Sequence, residues 1–302
     1  MNPSVTYFRG RLLMAASLQM GFTGSRHKYP TNNVEFRWVN HTNYPFYTEE
    51  TYLGIENEIS ELNMEIKGQD PRMIVHNDSF VQLFFTSILN GLQHQKMGVA
   101  ELRYLSDHGR LNLTYKAQPI IPGYPLDRSL NQKNWSPFIH GDEVYLVQSI
   151  HPFTVVRMEG YGLASIEAKI VSHIDYEFEY SIAGELRGGT NALRLDDFYL
   201  SFFHVRTKLP YNGMTTYVFG AYTFNLDPPF KLLSVSPTPI MPEGLYTQAW
   251  AGRFIDYCVY PMHIFMKDAD TIHMSFGFQD KIGMIGEIRL SSLLRTLVAV
   301  AT

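Results

Sequence analysis

One phrase recurs five times along this chain of 302 residues: a polar opening, a strand, a tight turn and a second, aromatic-rich strand. The openings are Asn2-Pro3-Ser4, Gln69-Asp70-Pro71-Arg72, Lys133-Asn134-Trp135-Ser136-Pro137, Arg187-Gly188-Gly189-Thr190 and Asp256-Tyr257-Cys258. They follow one another at roughly 55 to 70 residues, a period typical of propellers, solenoids and other repeat arrays. The openings differ while the hairpins behind them stay alike, which indicates a copied scaffold unit with diverged polar ends.

The residues behind each opening have the pattern of strands. Apolar and polar residues alternate with a period of two in 73–85, 143–150, 197–205 and 271–278, as expected of half-buried strands. Short turns rich in Asp, Asn and Gly separate the paired strands, and each copy leaves room for two more. Four strands in each of five copies predict an all-β fold, a five-bladed β-propeller around a central funnel. Neighbouring blades then cover the faces that one blade cannot bury alone.

The chain contains no low-complexity linker, so we expect one propeller domain spanning 1–302. The predicted blades occupy 1–47, 68–130, 133–184, 186–240 and 250–302. Segment 48–66 departs from the repeat, because Ile55, Ile59, Leu62 and Ile66 stand at helical spacing, and it is predicted to be a short helix or ordered loop. The tail 290–300 is predicted to be a last strand or short helix that closes the ring.

Composition excludes some partners and leaves the compartment open. The formal net charge is −4 and no basic run occurs, so a nucleic-acid partner is not expected. No uncharged apolar stretch is long enough to span a membrane, and residues 1–9 do not form a signal peptide. Cys258 is the single cysteine, which fits a reducing compartment. Asn-x-Ser/Thr sequons at Asn40, Asn77, Asn112 and Asn134 fit the secretory pathway instead, so cytoplasm and secretory lumen both stay open.

Several chemistries are not expected. The sequence has no HExxH motif and no cysteine pair, so no metal site is predicted. It has no GxGxxG or P-loop motif and no GxSxG elbow. We therefore predict no cofactor. The sequence leaves open the oligomeric state and whether the natural chain extends before residue 1.

In a propeller the innermost strands line the central channel, so the five openings are expected to converge on one cavity. Asp70 is the candidate general acid, because Pro71 should hold the Asp70 backbone extended and fix where its carboxyl points. Arg72 alternates with Asp70 on the same strand and is expected to orient it or to bind a substrate oxygen. The alternative is an aspartate that caps a turn and pairs with Arg72.

Other openings carry weaker signals. Lys133 and Asn134 beside Trp135 suit the binding of sugar hydroxyls, but they also suit a surface corner with a packed aromatic ring. His204 ends a second strand, where a histidine is more often structural than catalytic. Asp280 stands at the matching place in the last copy.

Together these motifs resemble the five-bladed propellers of glycoside hydrolase family 130, the β-mannoside phosphorylases and their hydrolase and mannosyltransferase relatives. The likeness runs through nearly the whole chain, in Asn2-Pro3, Asp70-Pro71-Arg72, Lys133-Asn134, Gly188-Gly189-Thr190, His204, Asp227-Pro228, Tyr246, Cys258, Pro261 and Gly277 with Asp280. The resemblance implies that Asp70 donates a proton to the glycosidic oxygen through a hydroxyl of the bound sugar. Inversion then follows from attack by phosphate or water on the opposite face.

The predicted substrate-binding residues come from two arguments. The resemblance implies Arg72, Lys133, His204, Tyr217 and Asp280, and the convergence of the openings adds Asn2, Asn134, Arg187 and Thr190. Two phosphate-facing arginine positions of the phosphorylases are here Ala15-Ala16-Ser17 and Gln148 to His151, which favours hydrolysis or transfer to an acceptor over phosphorolysis. Inorganic phosphate stays open as a co-substrate.

The predicted function is therefore an inverting carbohydrate-active enzyme, a glycosidase, glycoside phosphorylase or glycosyltransferase acting on β-linked mannosides or related glycosides. The alternative from another class is a non-catalytic, lectin-like propeller that binds sugar in the same funnel. The sequence leaves open the sugar, its linkage and the second substrate.

Overall fold

The computed structural model describes residues 2–19, 32–39, 66–78, 80–89, 94–105, 110–120, 133–161, 165–177, 180–181, 183–208, 213–246, 255–279 and 282–301. These residues form twenty strands and one short helix. The strands group into five antiparallel sheets that follow one another along the chain. Each sheet begins at one of the polar openings, so each recurring phrase forms one blade.

The blades are numbered in chain order. Blade one contains β1 (Asn2–Phe8), β2 (Arg11–Gln19) and β3 (Asn32–Val39). Blade two contains β4 (Ile66–Asn77), β5 (Phe80–Leu89), β6 (His94–Leu105) and β7 (Arg110–Ile120). Blade three contains β8 (Ser136–His140), β9 (Glu143–Ser149), β10 (Phe153–Tyr161) and β11 (Ser165–Ile174). Blade four contains β12 (Leu186–Gly188), β13 (Leu193–Arg194), β14 (Phe198–Lys208), β15 (Thr215–Asn225) and β16 (Leu232–Val235). Blade five contains β17 (Ile255–Met266), β18 (Thr271–Phe278) and β19 (Ile282–Arg289).

The turn between the first two strands shows why the sequence makes hairpins here. Arg9 and Gly10 both have positive φ, 53° and 73°. Two consecutive residues with positive φ form the two-residue turn whose twist matches that of the flanking strands. The alternation behind the turn then buries one side of each strand against each neighbouring blade.

The apolar core is divided into layers between successive blades. Each layer is a cluster of buried side chains contributed by two adjacent sheets. Representative members are Phe8 with Phe85, Phe84 with Val156, Phe138 with Tyr199, Phe202 with Val259, and Val5 with Phe265. Every blade is therefore covered on both faces, which one isolated antiparallel sheet cannot achieve.

The fifth layer joins the last blade to the first and closes the ring. The Val5 amide donates a hydrogen bond to Ser275 Oγ at 3.3 Å, across 270 residues of sequence. The rings of Tyr7 and Phe265 meet edge to face with their centroids 5.2 Å apart. The five-bladed β-propeller predicted from the repeat is therefore confirmed.

The tail differs from its prediction. It forms both a helix, α1 (Leu290–Leu294), and a strand, β20 (Val298–Ala299). That strand does not close the ring, because it pairs with β16 at the outer edge of blade four. The buried side chain of Leu293 meanwhile packs into the layer between blades four and five, so the tail binds these two blades together.

Two further expectations concern the remaining chain. Residues 48–65 of the predicted helix or loop lie outside the described residues, and Ile66 begins β4. In the described part of the chain, no helix has the length and apolar character needed to cross a membrane.

Candidate active site

Asp70 lies on a bulge in the innermost strand of blade two. Gln69 pairs with Thr86 and Arg72 pairs with Phe84, so β4 has one extra residue between these pairs. Asp70 has φ of 53°, in the left-handed region, and the extended backbone expected before Pro71 is wrong. A bulge explains the difference, because its extra residue leaves the ladder and Pro71 has no N–H to donate to it. The bulge turns Asp70 away from its own sheet.

The Asp70 carboxyl is buried and receives hydrogen bonds from two other blades. Asn2 Nδ2 of blade one donates to Asp70 Oδ1 at 2.7 Å. The Tyr260 hydroxyl of blade five donates to Asp70 Oδ2 at 3.4 Å. Only 6% of Asp70 is exposed. Residues far apart in sequence thus converge on one carboxyl group, as expected if the openings line a shared site.

Arg72 has partners other than a substrate oxygen. Its side chain is fully buried, at 0% exposure. Nε donates to the Gly189 carbonyl at 2.6 Å and a terminal nitrogen donates to the Gly188 carbonyl at 3.1 Å. The other terminal nitrogen donates to the Asp70 carbonyl at 3.1 Å. The guanidinium therefore connects blade two with the opening of blade four.

The two glycines of the blade-four opening stand where backbones approach each other closely. A Cβ atom on Gly188 would lie 2.2 Å from the Asn134 carbonyl oxygen, at the opening of blade three. A Cβ atom on Gly189 would lie 2.7 Å from Pro261 Cγ, on the innermost strand of blade five. Glycine is required at both positions, because no side chain fits between these blades.

Cationic side chains outnumber the one buried carboxylate among the described residues of the site. Burial is the largest influence on the pKa of Lys133 and lowers it, while the Asp70 carboxylate raises it. The positive charges of Arg187, Arg72 and Arg206 lower this pKa further. Within the described part of the chain no carboxylate lies within ion-pair distance of Lys133. The excess of positive charge favours an anionic ligand.

Blade four presents several of these groups on one face. Arg187 pairs with His204 in the β12–β14 register, and Arg206 pairs with Tyr217 in the β14–β15 register. Because alternate residues of a strand share a face, His204 and Arg206 point to the same side. Arg187 also pairs with the exposed carboxylate two residues before it.

Three aromatic rings pack beside Asp70. The rings of His204 and Tyr260 have centroids 4.3 Å apart, and Tyr217 lies 6.0 Å and 5.8 Å from them. Burial lowers the pKa of His204 well below its usual value, and the charge of Arg72 acts in the same direction. Burial and the negative charge of Asp70 raise the pKa of Tyr260. His204 is therefore neutral and Tyr260 remains a hydrogen-bond donor at neutral pH.

The other predicted residues fall into different places. Asn134 is buried with φ of 65°, and its Oδ1 has no hydrogen-bond partner among the described residues. Thr190 is fully buried, and its hydroxyl bonds within blade four to the Asn191 carbonyl and the Phe202 amide. The hydroxyl of Thr190 is therefore engaged within its own blade. Asp280 lies outside the described residues.

Three residues of the site, Tyr260, His263 and Arg206, were not predicted from the sequence. Tyr260 and His263 follow the blade-five opening on β17, and both are buried. Burial and the charge of Arg72 lower the pKa of His263 to about 3. Tyr260 lies two residues beyond the blade-five opening, and this nearness to an opening is the signal that identifies it. Nothing in the sequence pattern singles out Arg206.

Left-handed backbone recurs at these openings. Asp70, Asn134 and Tyr257 have φ of 53°, 65° and 54°. Non-glycine residues in this region are strained, and such residues cluster at functional sites. Among the described residues, no group of three or more His, Cys, Asp or Glu side chains is placed to hold a metal ion.

Comparison with solved structures identifies the fold. One similar structure comes from the GH130 family of mannoside phosphorylases, which contains glycoside hydrolases that target β-1,2 mannosidic linkages in Candida mannan. It is 11% identical to this chain, the match covers 96% of this chain and 84% of that protein, and the TM-score is 0.65. The fold is that of glycoside hydrolase family 130. The β-1,2-mannobiose phosphorylase of Listeria innocua is 13% identical over 97% of this chain and 90% of its own, with a TM-score of 0.58.

A third similar structure shares this propeller. The GDP-Man-dependent mannosyltransferase MPT-1 of Leishmania mexicana is 13% identical over 95% of this chain and 86% of its own, with a TM-score of 0.55. No protein-family model and no curated protein matches the sequence. The similarity to family 130 propellers is therefore one of fold, and the activity has to be argued from the site.

Proposed function

We propose that this protein is an inverting carbohydrate-active enzyme that cleaves or transfers β-linked mannosides or related glycosides, with Asp70 as general acid. The observation that carries the proposal is the convergence of Asn2, Arg72 and Tyr260 on Asp70 at one end of the ring. A buried carboxyl held by Asn2 and Tyr260, with its backbone carbonyl held by Arg72, is suited to a proton transfer that needs a fixed geometry. The family 130 fold supports sugar chemistry at this position.

The proposed reaction needs a proton for the departing oxygen and a nucleophile on the opposite face of the sugar. Asp70 supplies the proton as the glycosidic C–O bond breaks, by way of a hydroxyl of the bound sugar as the resemblance implies. The nucleophile forms the new bond to the anomeric carbon from the other side. Among the described residues Asp70 is the only buried carboxyl, so no second carboxylate is assigned as a covalent nucleophile.

A second candidate, phosphorolysis, is favoured by the cationic groups. Lys133 interacts electrostatically with Asp70, Arg187 and Arg206, and guanidinium and ammonium groups are the usual partners of phosphate. The phosphorylases carry arginines at the positions that correspond to residues 15–17 and 148–151, and this chain lacks them. Lys133, Arg187 and Arg206 provide positive charge at other positions. A phosphate ion is itself a nucleophile and needs no general base. We therefore keep inorganic phosphate as a co-substrate alongside water and an acceptor sugar.

The first experiment separates these activities. The protein is incubated with β-linked manno-oligosaccharides with and without inorganic phosphate, and separately with mannose 1-phosphate or GDP-mannose plus an acceptor sugar, and products are followed by chromatography. Mannose released without phosphate indicates hydrolysis, and mannose 1-phosphate formed only with phosphate indicates phosphorolysis. Binding with no product under any condition supports the lectin-like alternative. If the protein shows no binding and no turnover with any of these sugars, the proposal is overturned.

The second experiment tests inversion. The anomeric configuration of the first product is read by proton NMR within the first minutes, before mutarotation. A β-mannoside should release the α-anomer. Initial release of the β-anomer contradicts the single-displacement mechanism.

A further inference from the structure

The buried side chain of Arg72 connects blade two with blade four. The guanidinium of Arg72 donates to the carbonyls of Asp70, Gly188 and Gly189, at 3.1, 3.1 and 2.6 Å. The first carbonyl belongs to the bulge of blade two and the other two belong to the opening of blade four. Hydrogen bonds from a charged donor are stronger than neutral ones and specify geometry more tightly.

Full burial of the Arg72 guanidinium requires that all of its charge be compensated by the surrounding protein. A buried charge is costly unless it is compensated and hydrogen-bonded. The Arg72 guanidinium is compensated by hydrogen bonds to three carbonyl oxygens, one of which belongs to Asp70. Arg72 is thus linked to Asp70 through the Asp70 backbone. With no exposed surface, Arg72 has no direct access to a ligand.

The blade-four carbonyls are themselves held in place. A Cβ on Gly188 would lie 2.2 Å from the Asn134 carbonyl oxygen, and one on Gly189 would lie 2.8 Å from the Phe202 carbonyl oxygen. The amides of Gly189 and Thr190 donate to that same Phe202 carbonyl at 2.8 and 3.2 Å. The acceptors of Arg72 therefore have little freedom to move.

We propose that Arg72 is a positioning residue, which fixes the left-handed bulge at Asp70 by fastening it to the Gly188-Gly189 backbone across the ring. This inference rests on the proposed function for its kinetic consequence. Asp70 sits in a strained conformation on the bulge of β4, and such strain persists only where surrounding contacts determine it. Arg72 supplies one such contact from outside the β4–β5 pairing, so the position of Asp70 depends on blade four as well as blade two.

The test replaces Arg72 with lysine, which keeps the charge but has one nitrogen and cannot reach three carbonyls that a planar fork spans. On the substrate found active above, Arg72→Lys should lower kcat about 100-fold, the size of effect expected when a catalytic group is displaced by roughly 1 Å. KM should change less than about threefold, because Arg72 does not reach the ligand. Arg103→Lys, an exposed exchange in the same blade, serves as the control and should leave both constants unchanged. An Arg72→Lys enzyme with unchanged kcat overturns the proposal, and so does one in which only KM rises.

A crystal structure of the Arg72→Lys protein tests the same inference without turnover. The φ of Asp70 should leave the left-handed region, or its carboxyl should separate from Asn2 and Tyr260. An unchanged Asp70 overturns the proposal even if the protein proves to be no enzyme, whereas an inactive wild type with a displaced Asp70 in the variant overturns only the proposed function. If Arg72→Lys and Arg72→Gln both fail to fold while Asp70→Asn folds, Arg72 is a folding residue and the positioning role is rejected.

Discussion

The openings of blade two and blade four meet at Arg72 but are built in opposite ways. Blade two bends its strand by one residue and turns Asp70 toward its neighbours. Blade four removes side chains altogether, and Gly188 and Gly189 offer carbonyl oxygens at places where a Cβ would collide with other blades. One opening supplies the proposed general acid and the other supplies backbone carbonyls that hold Arg72 beside it. The comparison teaches that chemistry and support can be divided between blades on different sides of one ring.

The largest expected effect concerns the blade-two opening. Asp70→Asn should lower turnover about 1,000-fold, because it removes the transferable proton and keeps the shape of the side chain. Sugar binding by calorimetry and the melting temperature should stay close to those of the wild type. Asp78→Asn, at the exposed far end of the same hairpin, is the control. Equal turnover in the two variants would remove Asp70 from the mechanism.

A substitution in the blade-four opening should lower the stability of the protein. Gly188→Ala should lower the free energy of unfolding by about 3 kcal/mol, because the new methyl group has no space between backbones. Gly286→Ala is the matched control, since its Cβ would meet only a Phe276 ring atom at 3.3 Å, and should cost less than about 1 kcal/mol. Urea unfolding measures both. A Gly188→Ala protein as stable as the control would show that the blade-four opening can accommodate a methyl group.

The pH dependence of stability probes the region between the two openings. His263 has a folded pKa of about 3, lowered from 6.5 by burial and Arg72. Between these values the unfolded chain binds a proton that the folded protein does not, so stability falls as the pH falls below 6.5. One such group accounts for a loss of about 2 kcal/mol between pH 6.5 and pH 5. His263→Gln should flatten this slope, with His204 retaining part of it, and an unchanged slope in unfolding curves would contradict the assignment.

The smallest effect is expected at Lys133, which lies among the cationic side chains of the site. Lys133→Gln should raise the KM for phosphate, or for another anionic substrate, about tenfold, which corresponds to roughly one charge-assisted hydrogen bond. Stability should hardly change. Lys169→Gln, on the exposed side of blade three, is the control. An unaltered KM in initial-rate measurements would show that anions bind elsewhere or not at all.

The blades and their shared axis could be predicted from the sequence, because strand periodicity and turn residues are local signals. The strand predicted in 197–205 forms part of β14 (Phe198–Lys208), but all residues from Tyr199 to Val205 are buried, so this strand is covered on both faces and not half-buried as the alternation predicted. The polar openings stood out because each differs from the alternating strands that follow. For the same reason Asp70 and its neighbour Asn2 could be selected from the amino-acid pattern alone.

The remaining features depend on contacts between distant residues. Pro71 favours extended backbone at Asp70 locally, and only the pairing of β4 with β5 reveals the bulge that reverses this preference. The carbonyl partners of Arg72 lie 116 and 117 residues away, and Tyr260 is 190 residues from Asp70. No pattern within one strand encodes such pairs. The tail could be recognised as structured, but its pairing with blade four could not.

The two partners of the Asp70 carboxyl belong to the first and last blades, Asn2 on β1 and Tyr260 on β17. During synthesis on the ribosome the acid therefore emerges long before half of its surroundings exist. A nascent chain or a proteolytic fragment that lacks either end holds an incomplete pocket. The proposed activity should therefore require both the first strand and blade five.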